Sequence, residues 1–345
     1  MVYRAPGWAY RQACASCTIA PTSVNFRVVS IELPFISIII PTRPGQAEPA
    51  AVTAARLLDY PRERLEILLA RGRQPSVQRN AALKTAQGEL IYFLDDDACA
   101  APANLRRAVD HFKDAQVKMV GGPNLCPPSA PMLEQVFAVV LASWLAFGPS
   151  RARYAQVGSV RSSSEKELIL CNLAARRADL LRLGGFDESL YPNEENALMD
   201  NLQKSGAKLL YDPEFIVHRR PRPSLRAFIK MLMTYGRGRA EQFRLHPTPG
   251  SILNFIPPLF VLYLLIGPWF GWIGLAPLSL YLVAVFCQTL VSMKAYGRVK
   301  SLRAFPFVIL THIFYGIGFW RGLFTRLPSA GGREDVEVSI ERIVV

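Results

Sequence analysis

Residues 90–97 read Leu90-Ile91-Tyr92-Phe93-Leu94-Asp95-Asp96-Asp97, five apolar side chains running straight into three acids. A short uninterrupted apolar run is the pattern of a strand covered on both faces, as in a parallel sheet. The aspartates therefore fall at the carboxyl end of a strand, where open α/β sheets bind ligands. Three carboxylates this close repel one another and are costly to desolvate unless a hard cation such as Mg2+ or Mn2+ takes up their oxygens. A helix N-cap accounts for one such aspartate but not for three in succession.

Outward from this junction the alternation of strand and helix repeats. Residues 35–40 form an apolar, isoleucine-rich run ended by Pro41-Thr42-Arg43-Pro44-Gly45, residues 47–58 read as a helix, 65–70 as a second strand and 77–87 as a second helix. The aspartates thus close a third strand. Such spacing implies right-handed crossovers and a mainly parallel central sheet, an α/β fold. Downstream, residues 105–115 are expected to be helical, 117–120 a strand and 132–147 an apolar helix bordering an acceptor groove. The serine-rich stretch 151–166 reads either as a mobile loop over the site or as exposed linker. A strand over 167–172, a helix over 175–183 and a turn at Gly184-Gly185 follow. Asn193-Glu194-Glu195-Asn196 then opens a helix over 197–204, a place where the helix dipole favours carboxylates whatever else they do.

The chain has 345 residues, of which half are hydrophobic, and a net charge of +13. That length accommodates a catalytic domain of roughly 200 to 250 residues with an appendage. High apolar content combined with positive charge suits a protein resting on an anionic bilayer. Nucleic acid is excluded as a partner, because no basic segment is interleaved with aromatics and no binding motif is present. Residues 247–293 contain no charged side chain. This stretch holds two spans, near 253–270 and 275–291, with Trp269 and Trp272 beside the turn at 271–274 in the headgroup zone. A third apolar stretch, 305–319, fits a spanning, re-entrant or surface-lying helix. Lys294, Arg298, Lys300 and Arg303 between these stretches point to the cytoplasm. Before the first span, eight basic residues from Arg219 to Arg244 face only Glu241, on an amphipathic pattern expected at the membrane interface. Arg237 and Arg239, flanked by Gly236 and Gly238, are candidates for contact with a phosphate, with lipid headgroups as the alternative. Of six cysteines only Cys14 and Cys17 have a redox-like or metal-like spacing, and no second pair completes a zinc site. Residues 1–25 lack a continuous apolar core, so they do not read as a signal peptide, and residues 1–33 are expected to be an extension.

These motifs together resemble the family 2 glycosyltransferases, inverting enzymes with the GT-A fold, over residues 34–246. Residues 37–42, Ser-Ile-Ile-Ile-Pro-Thr, look like the family's opening strand, and residues 78–82, Gln-Arg-Asn-Ala-Ala, like its arginine-asparagine helix start. Phe93 to Asp97 look like its DxD metal motif, residues 184–188 like its acceptor-side turn, and Asn193-Glu194-Glu195 stand at its acidic base motif. Val217-His218 is similar to a late valine-histidine whose ring helps hold the metal. Two positions depart from the pattern: Ala70-Arg71-Gly72 replaces the usual base-reading aspartate, and Glu195 replaces an aspartate. The layout is closest to membrane-bound exopolysaccharide glycosyltransferases of the succinoglycan type.

The expected organisation is an extension (1–33), a GT-A catalytic domain (34–217), a basic amphipathic segment (218–246), a transmembrane region of two to three spans (247–326) and a tail (327–345). The resemblance implies metal-dependent, inverting transfer of a sugar from a nucleotide-sugar to a polyprenyl-diphosphate-linked glycan or nascent polysaccharide. The protein is expected to be multi-pass in a bacterial inner membrane, in contact with its lipids, with the catalytic domain in the cytoplasm. Glu195 is the expected base, with Glu194 second. Donor contacts are expected from Pro41, Thr42, Arg79, Asn80, Asp95, Asp96, Arg237 and Arg239, and acceptor contacts from Asn172, Gly185, Phe186 and Asp187. Asp95, Asp97 and His218 are the expected ligands of Mg2+ or Mn2+. Rival readings are a polyprenyl-phosphate monosaccharide synthase and a membrane scaffold with an inactive transferase domain. A phosphatase with an aspartate nucleophile is disfavoured, because no lysine-bearing phosphate motif follows.

Overall fold

Three apolar runs become three neighbouring parallel strands, β1 (Ile36–Thr42), β2 (Leu65–Arg71) and β3 (Leu90–Leu94), each buried nearly throughout. The computed structural model describes residues 32–188, 194–245, 247, 249–326 and 337–343. The expected N-terminal extension with Cys14 and Cys17, and Asn193, lie outside these residues. In chain order the remaining elements of the sheet region are α1 (Ala50–Ala55), α2 (Pro75–Thr85), β4 (Cys99–Ala100), α3 (Asn104–His111), β5 (Val117–Gly121), β6 (Asn124–Leu125), α4 (Met132–Leu141) and α5 (Trp144–Phe147). They continue with β7 (Arg161–Ser162), β8 (Asn172–Arg176), α6 (Arg177–Arg182), α7 (Glu194–Lys204), β9 (Lys208–Tyr211) and β10 (Val217–His218). The C-terminal part comprises α8 (Leu225–Leu245), α9 (Ile256–Ile266), α10 (Gly271–Tyr296), α11 (Arg298–Phe324) and β11 (Ser339–Ile343).

The main sheet runs β11-β2-β1-β3-β8-β5-β9-β7. Its β2-β1-β3 core is parallel, and antiparallel β8 joins that core to the parallel pair β5-β9. Because side chains alternate across a strand, each run feeds two cores. Ile36, Ile38, Ile40, Leu69 and Tyr92 pack with α1 and α3, while Ile39, Leu68, Phe93 and Ile91 pack with α2, α6 and α7. A three-stranded sheet, β4-β10-β6, carries His218 opposite Cys99.

Several expectations shift. The strand expected over 167–172 lies at Asn172–Arg176, because both halves of that segment are apolar and only the pairing with Leu94 and Gly121 selects the second. The helix expected over 132–147 bends by 63° after Leu141, where the Ser143 hydroxyl caps a new turn by accepting from the Ala146 N–H at 3.3 Å. Residues 151–166 form no free loop. Arg153 donates to the Lys166 carbonyl at 3.1 Å and to Asn196 Oδ1 at 2.9 Å, and β7 pairs with β9. The tail expected at the C-terminus contains β11, which adds antiparallel to β2.

Two helical segments, Ile252–Tyr296 and Arg298–Phe324, are long and apolar enough to cross a membrane. The first is mostly uncovered and folds into a hairpin: Tyr263 donates its hydroxyl to the Gly274 carbonyl at 2.6 Å, and the Phe260 and Tyr281 rings lie 4.5 Å apart. Trp269, Phe270 and Trp272 stand exposed at its tip. The segment expected at the membrane interface is α8, which packs closely on α11. Added side chains at Gly236, Gly318 and Gly322 would meet the backbones of Tyr315, Met233 and Arg237 at 2.1, 2.2 and 2.4 Å. Gly236 therefore serves helix contact and not the approach of a phosphate. The basic loop expected at 294–303 is reduced to a turn at Gly297, with Lys300 near Cys126 of the sheet domain. The far end of α11 is held by α8, since Arg244 donates to the carbonyls of Gly322 and Thr325 at 3.0 and 2.5 Å. Strand β11 then joins the catalytic sheet.

Candidate active site

The carboxyl ends of β1, β2 and β3 open into a cleft of about 1940 Å³. Pro41 and Thr42 line it from β1, Asp95 and Asp96 from the loop after β3, Arg79 from α2, and Glu194 and Glu195 from the start of α7. The cleft continues without a break to Phe260, Tyr281, His312 and Tyr315 of the apolar helices.

Arg79 ties the two acidic groups together. Its Nη2 lies 3.0 Å from Asp95 Oδ1 and its Nη1 lies 3.3 Å from Glu194 Oε1. From the other side Arg219 places Nη1 2.9 Å from Asp95 Oδ2 and Nε 2.5 Å from Asp97 Oδ1. Asp96 accepts from Gln46 Nε2 at 3.1 Å. Burial alone would raise the Asp95 carboxyl, but Arg219 and Arg79 hold it below its ordinary value. Glu194 has the opposite balance. It is 2% exposed, its Oε2 has no partner, and burial together with the charge of Glu195 pushes it up to about 7 despite Arg79. Glu195 is half-buried and lines the cleft beside it.

A divalent ion can be tested against these residues. The Asp95 and Asp97 carboxylates already share one cation, the Arg219 guanidinium, so their placement calls for positive charge between them. His218 is paired in β10 opposite Cys99, two residues past Asp97, and its buried Nδ1 has no partner. Two carboxylates and an imidazole nitrogen are suitable donors for Mg2+ or Mn2+. Among the described residues no three His, Cys, Asp or Glu side chains converge into a ready-made site, so binding requires Arg219 to yield.

Other expected site residues divide. Gly185, Phe186 and Asp187, expected on the acceptor side, line the cleft. Asn80 does not reach it; its amide nitrogen donates to the Phe186 carbonyl and to Glu188 Oε1, each at 2.8 Å, while its Oδ1 accepts from the Phe186 N–H. A side chain on Gly185, at φ +80°, would strike that Oδ1 at 2.4 Å, so Asn80 clamps the turn and Gly185 must be glycine. Asn172 is fully buried and bonds the Tyr92 hydroxyl and the Phe215 carbonyl, at 2.8 and 2.5 Å, within the core and not in the groove. Arg239 lines the cleft, whereas Arg237 turns to Glu241 at 3.4 Å. Burial and then the neighbouring Arg153 draw Arg239 below its ordinary value. The sequence reading did not single out Arg153 or Arg219. Arg219 offers only its place next to His218 and at the head of the basic segment as local signals.

The glycosyl transferase family 2 model matches residues 54–128. The chain is 29% identical over 177 residues to the pre-mycofactocin glycosyltransferase of Mycobacterium tuberculosis, covering 50% of this chain and 36% of that protein. It is 28% identical over 148 residues to the succinoglycan biosynthesis protein ExoA of Rhizobium meliloti, covering 41% of this chain and 43% of that protein. It therefore spans about two fifths of the length of these curated relatives. Among solved structures, the mannosyltransferase PcManGT from Pyrobaculum calidifontis, in complex with GDP-Man and Mn2+, superposes with a TM-score of 0.50 at 20% identity, covering 84% of this chain and 87% of that one. Strand order, acidic cleft and these likenesses agree: the chain carries a family 2 glycosyltransferase domain with the GT-A fold, followed by helices long and apolar enough to span a membrane.

Proposed function

We propose that this protein transfers a sugar, with inversion, from a nucleotide-sugar to a lipid-linked or nascent-polysaccharide acceptor at the cytoplasmic face of a bacterial inner membrane. The observation that carries this reading is the single cleft that joins the acidic ends of the parallel strands to the apolar helices. A donor enters from the polar end, and an acceptor held at the bilayer enters from the other.

Pro41, Thr42 and Asp96 bound the donor end, and Asp95, Asp97 and His218 would hold Mg2+ or Mn2+, in keeping with the Mn2+ and GDP-Man of the structural neighbour. When bound, such an ion stabilises the negative charge of the departing diphosphate. Arg79 fixes Asp95 relative to Glu194 and so holds donor and acceptor ends in register. Glu195, the more accessible acid, takes the proton from the acceptor hydroxyl as its oxygen attacks the anomeric carbon from the face opposite the leaving group. Glu194, buried against it, sets the charge of the pair. Arg239 and Arg153 supply positive charge near the helices, where a diphosphate-bearing acceptor would dock. The α9–α10 hairpin anchors this end in lipid.

The test is incubation of membranes from an overexpressing strain with a panel of radiolabelled nucleotide-sugars and Mn2+, followed by lipid extraction. Label is expected on a lipid-linked glycan or polymer. Label on polyprenyl monophosphate would replace this reading with monosaccharide-lipid synthesis. Absence of both transfer and donor hydrolysis would leave a scaffold.

A further inference from the structure

Strand β2 ends in Ala70-Arg71-Gly72, and the way Arg71 is held joins the C-terminus of the chain to the aspartate loop. Arg71 donates from Nε to Glu341 Oε2 of β11 at 3.1 Å and from Nη1 to the Gln46 carbonyl at 2.7 Å. Gln46 in turn donates from Nε2 to Asp96 Oδ2 at 3.1 Å, while its Oε1 accepts from the Arg43 N–H at 3.4 Å. A continuous polar relay thus runs from the edge strand, through the 43–46 turn, to the middle aspartate of the triplet. Arg43, Pro44 and Gly45 are exposed, so no apolar burial holds that turn, and Arg43 and Pro44 line the cleft. The edge strand is itself firmly attached: five residues pair with β2, and Arg342 forms an ion pair with Glu66, a buried carboxylate that also accepts from the Ser37 hydroxyl at 2.5 Å.

We infer that Arg71 and Glu341 are positioning residues that hold the 43–46 turn and Asp96 in the arrangement that grips the nucleoside diphosphate of the donor, making the C-terminal strand a working part of the donor site. The inference rests on the reading of this end of the cleft as the donor end. It also accounts for the missing aspartate at the end of β2, because that position supports the turn from behind instead of facing the ligand.

The experiment uses the full chain in detergent with Mn2+ and titrates UDP, GDP and ADP by calorimetry, with donor kinetics measured in parallel. Glu341→Gln and Arg71→Met are each expected to weaken the best-bound nucleotide about three- to tenfold, as suits a partly exposed contact. Donor KM should rise with kcat within about twofold, and the double variant should be no weaker than Arg71→Met, because both act through one relay. Gln46→Met breaks the last link on an exposed turn without touching the sheet and should reproduce the loss. Unchanged affinity in Gln46→Met and Glu341→Gln would overturn the inference while leaving the donor site intact. Failure of the parent protein to bind any of the three nucleotides would instead remove the donor-site reading, and the inference with it.

Discussion

At the scale of single residues, the cleft is organised by charges that cannot all be satisfied at once. Glu195→Gln should lower kcat by about 10²- to 10⁴-fold with little change in donor KM, the expected loss for a general base, as checked by initial rates with saturating acceptor. Glu194 makes a prediction of a different kind. Its folded-state value of about 7 lies above the ordinary 4.5, so the folded protein holds this proton more tightly than the unfolded chain does. Its contribution is therefore most favourable below pH 4.5, declines as pH rises from there to about 7, and is flat above. Glu194→Gln, which cannot ionise, should gain in Tm relative to the parent between pH 5 and pH 8; a gap independent of pH would show that burial does not strain this carboxyl. The two acidic clusters were legible in the sequence because their chemistry is local: three adjacent acids and a Glu-Glu pair need no partner to attract notice. Asn80 and Asn172 lie off the cleft lining because their partners come from distant segments, the 186 turn and the Tyr92 hydroxyl, which local sequence does not reveal. Arg219 reads in sequence only as the first residue of the basic segment, since only the pairing of β10 with β4 brings it to the triplet.

Among the elements, those read correctly have uninterrupted apolar runs. β3 falls on 90–94 as expected, and β1 and β2 move by two residues or fewer, because full burial leaves one register open to them. The pair α8 and α11 shows what periodicity alone omits. Charge pattern placed α8 on a lipid surface, yet its glycines are there for close contact with α11. This reverses the sign of a simple substitution. Helix propensity makes Gly236→Ala favourable by about 1 kcal/mol. The added carbon would sit 2.1 Å from the Tyr315 carbonyl oxygen and 2.8 Å from the Phe319 nitrogen, so the helices must separate. Gly236→Ala is expected to lower Tm by several degrees, since forced overpacking costs about 1–3 kcal/mol, and thermal melts in detergent check this. A rise in Tm would mean that the two helices are less tightly apposed than their backbones indicate. Strand β11 was illegible for a related reason: its pattern of Ser339-Ile340-Glu341-Arg342-Ile343 is half polar, and only the bare edge of β2 gives it a partner.

For the whole molecule, the pairing of β11 with β2 brings the residues after α11 back to the sheet that precedes α8. Strand pairing cannot occur across a bilayer, and α11 runs from Lys300 near Cys126 of the sheet domain to Gly322, whose carbonyl accepts from Arg244 of α8. Although α11 has the apolarity of a span, its glycine-rich face is covered by α8, which carries Lys230, Arg237 and Arg239. A helix pair that carries charged side chains is expected to lie at the membrane interface. The mostly uncovered α9–α10 hairpin is expected to enter lipid. The 26 residues of α10 reach about 39 Å, against about 30 Å for a hydrocarbon core. Single cysteines at Trp269, Arg298 and Ser339, in a background without the native thiols, should therefore react differently with a membrane-impermeant maleimide. Arg298→Cys and Ser339→Cys should be labelled from the same face, in inverted vesicles and not in intact spheroplasts, and Trp269→Cys from the opposite one. Labelling of positions 298 and 339 from opposite faces would separate the edge strand from its sheet, and labelling of all three from the cytoplasmic side would make the hairpin re-entrant.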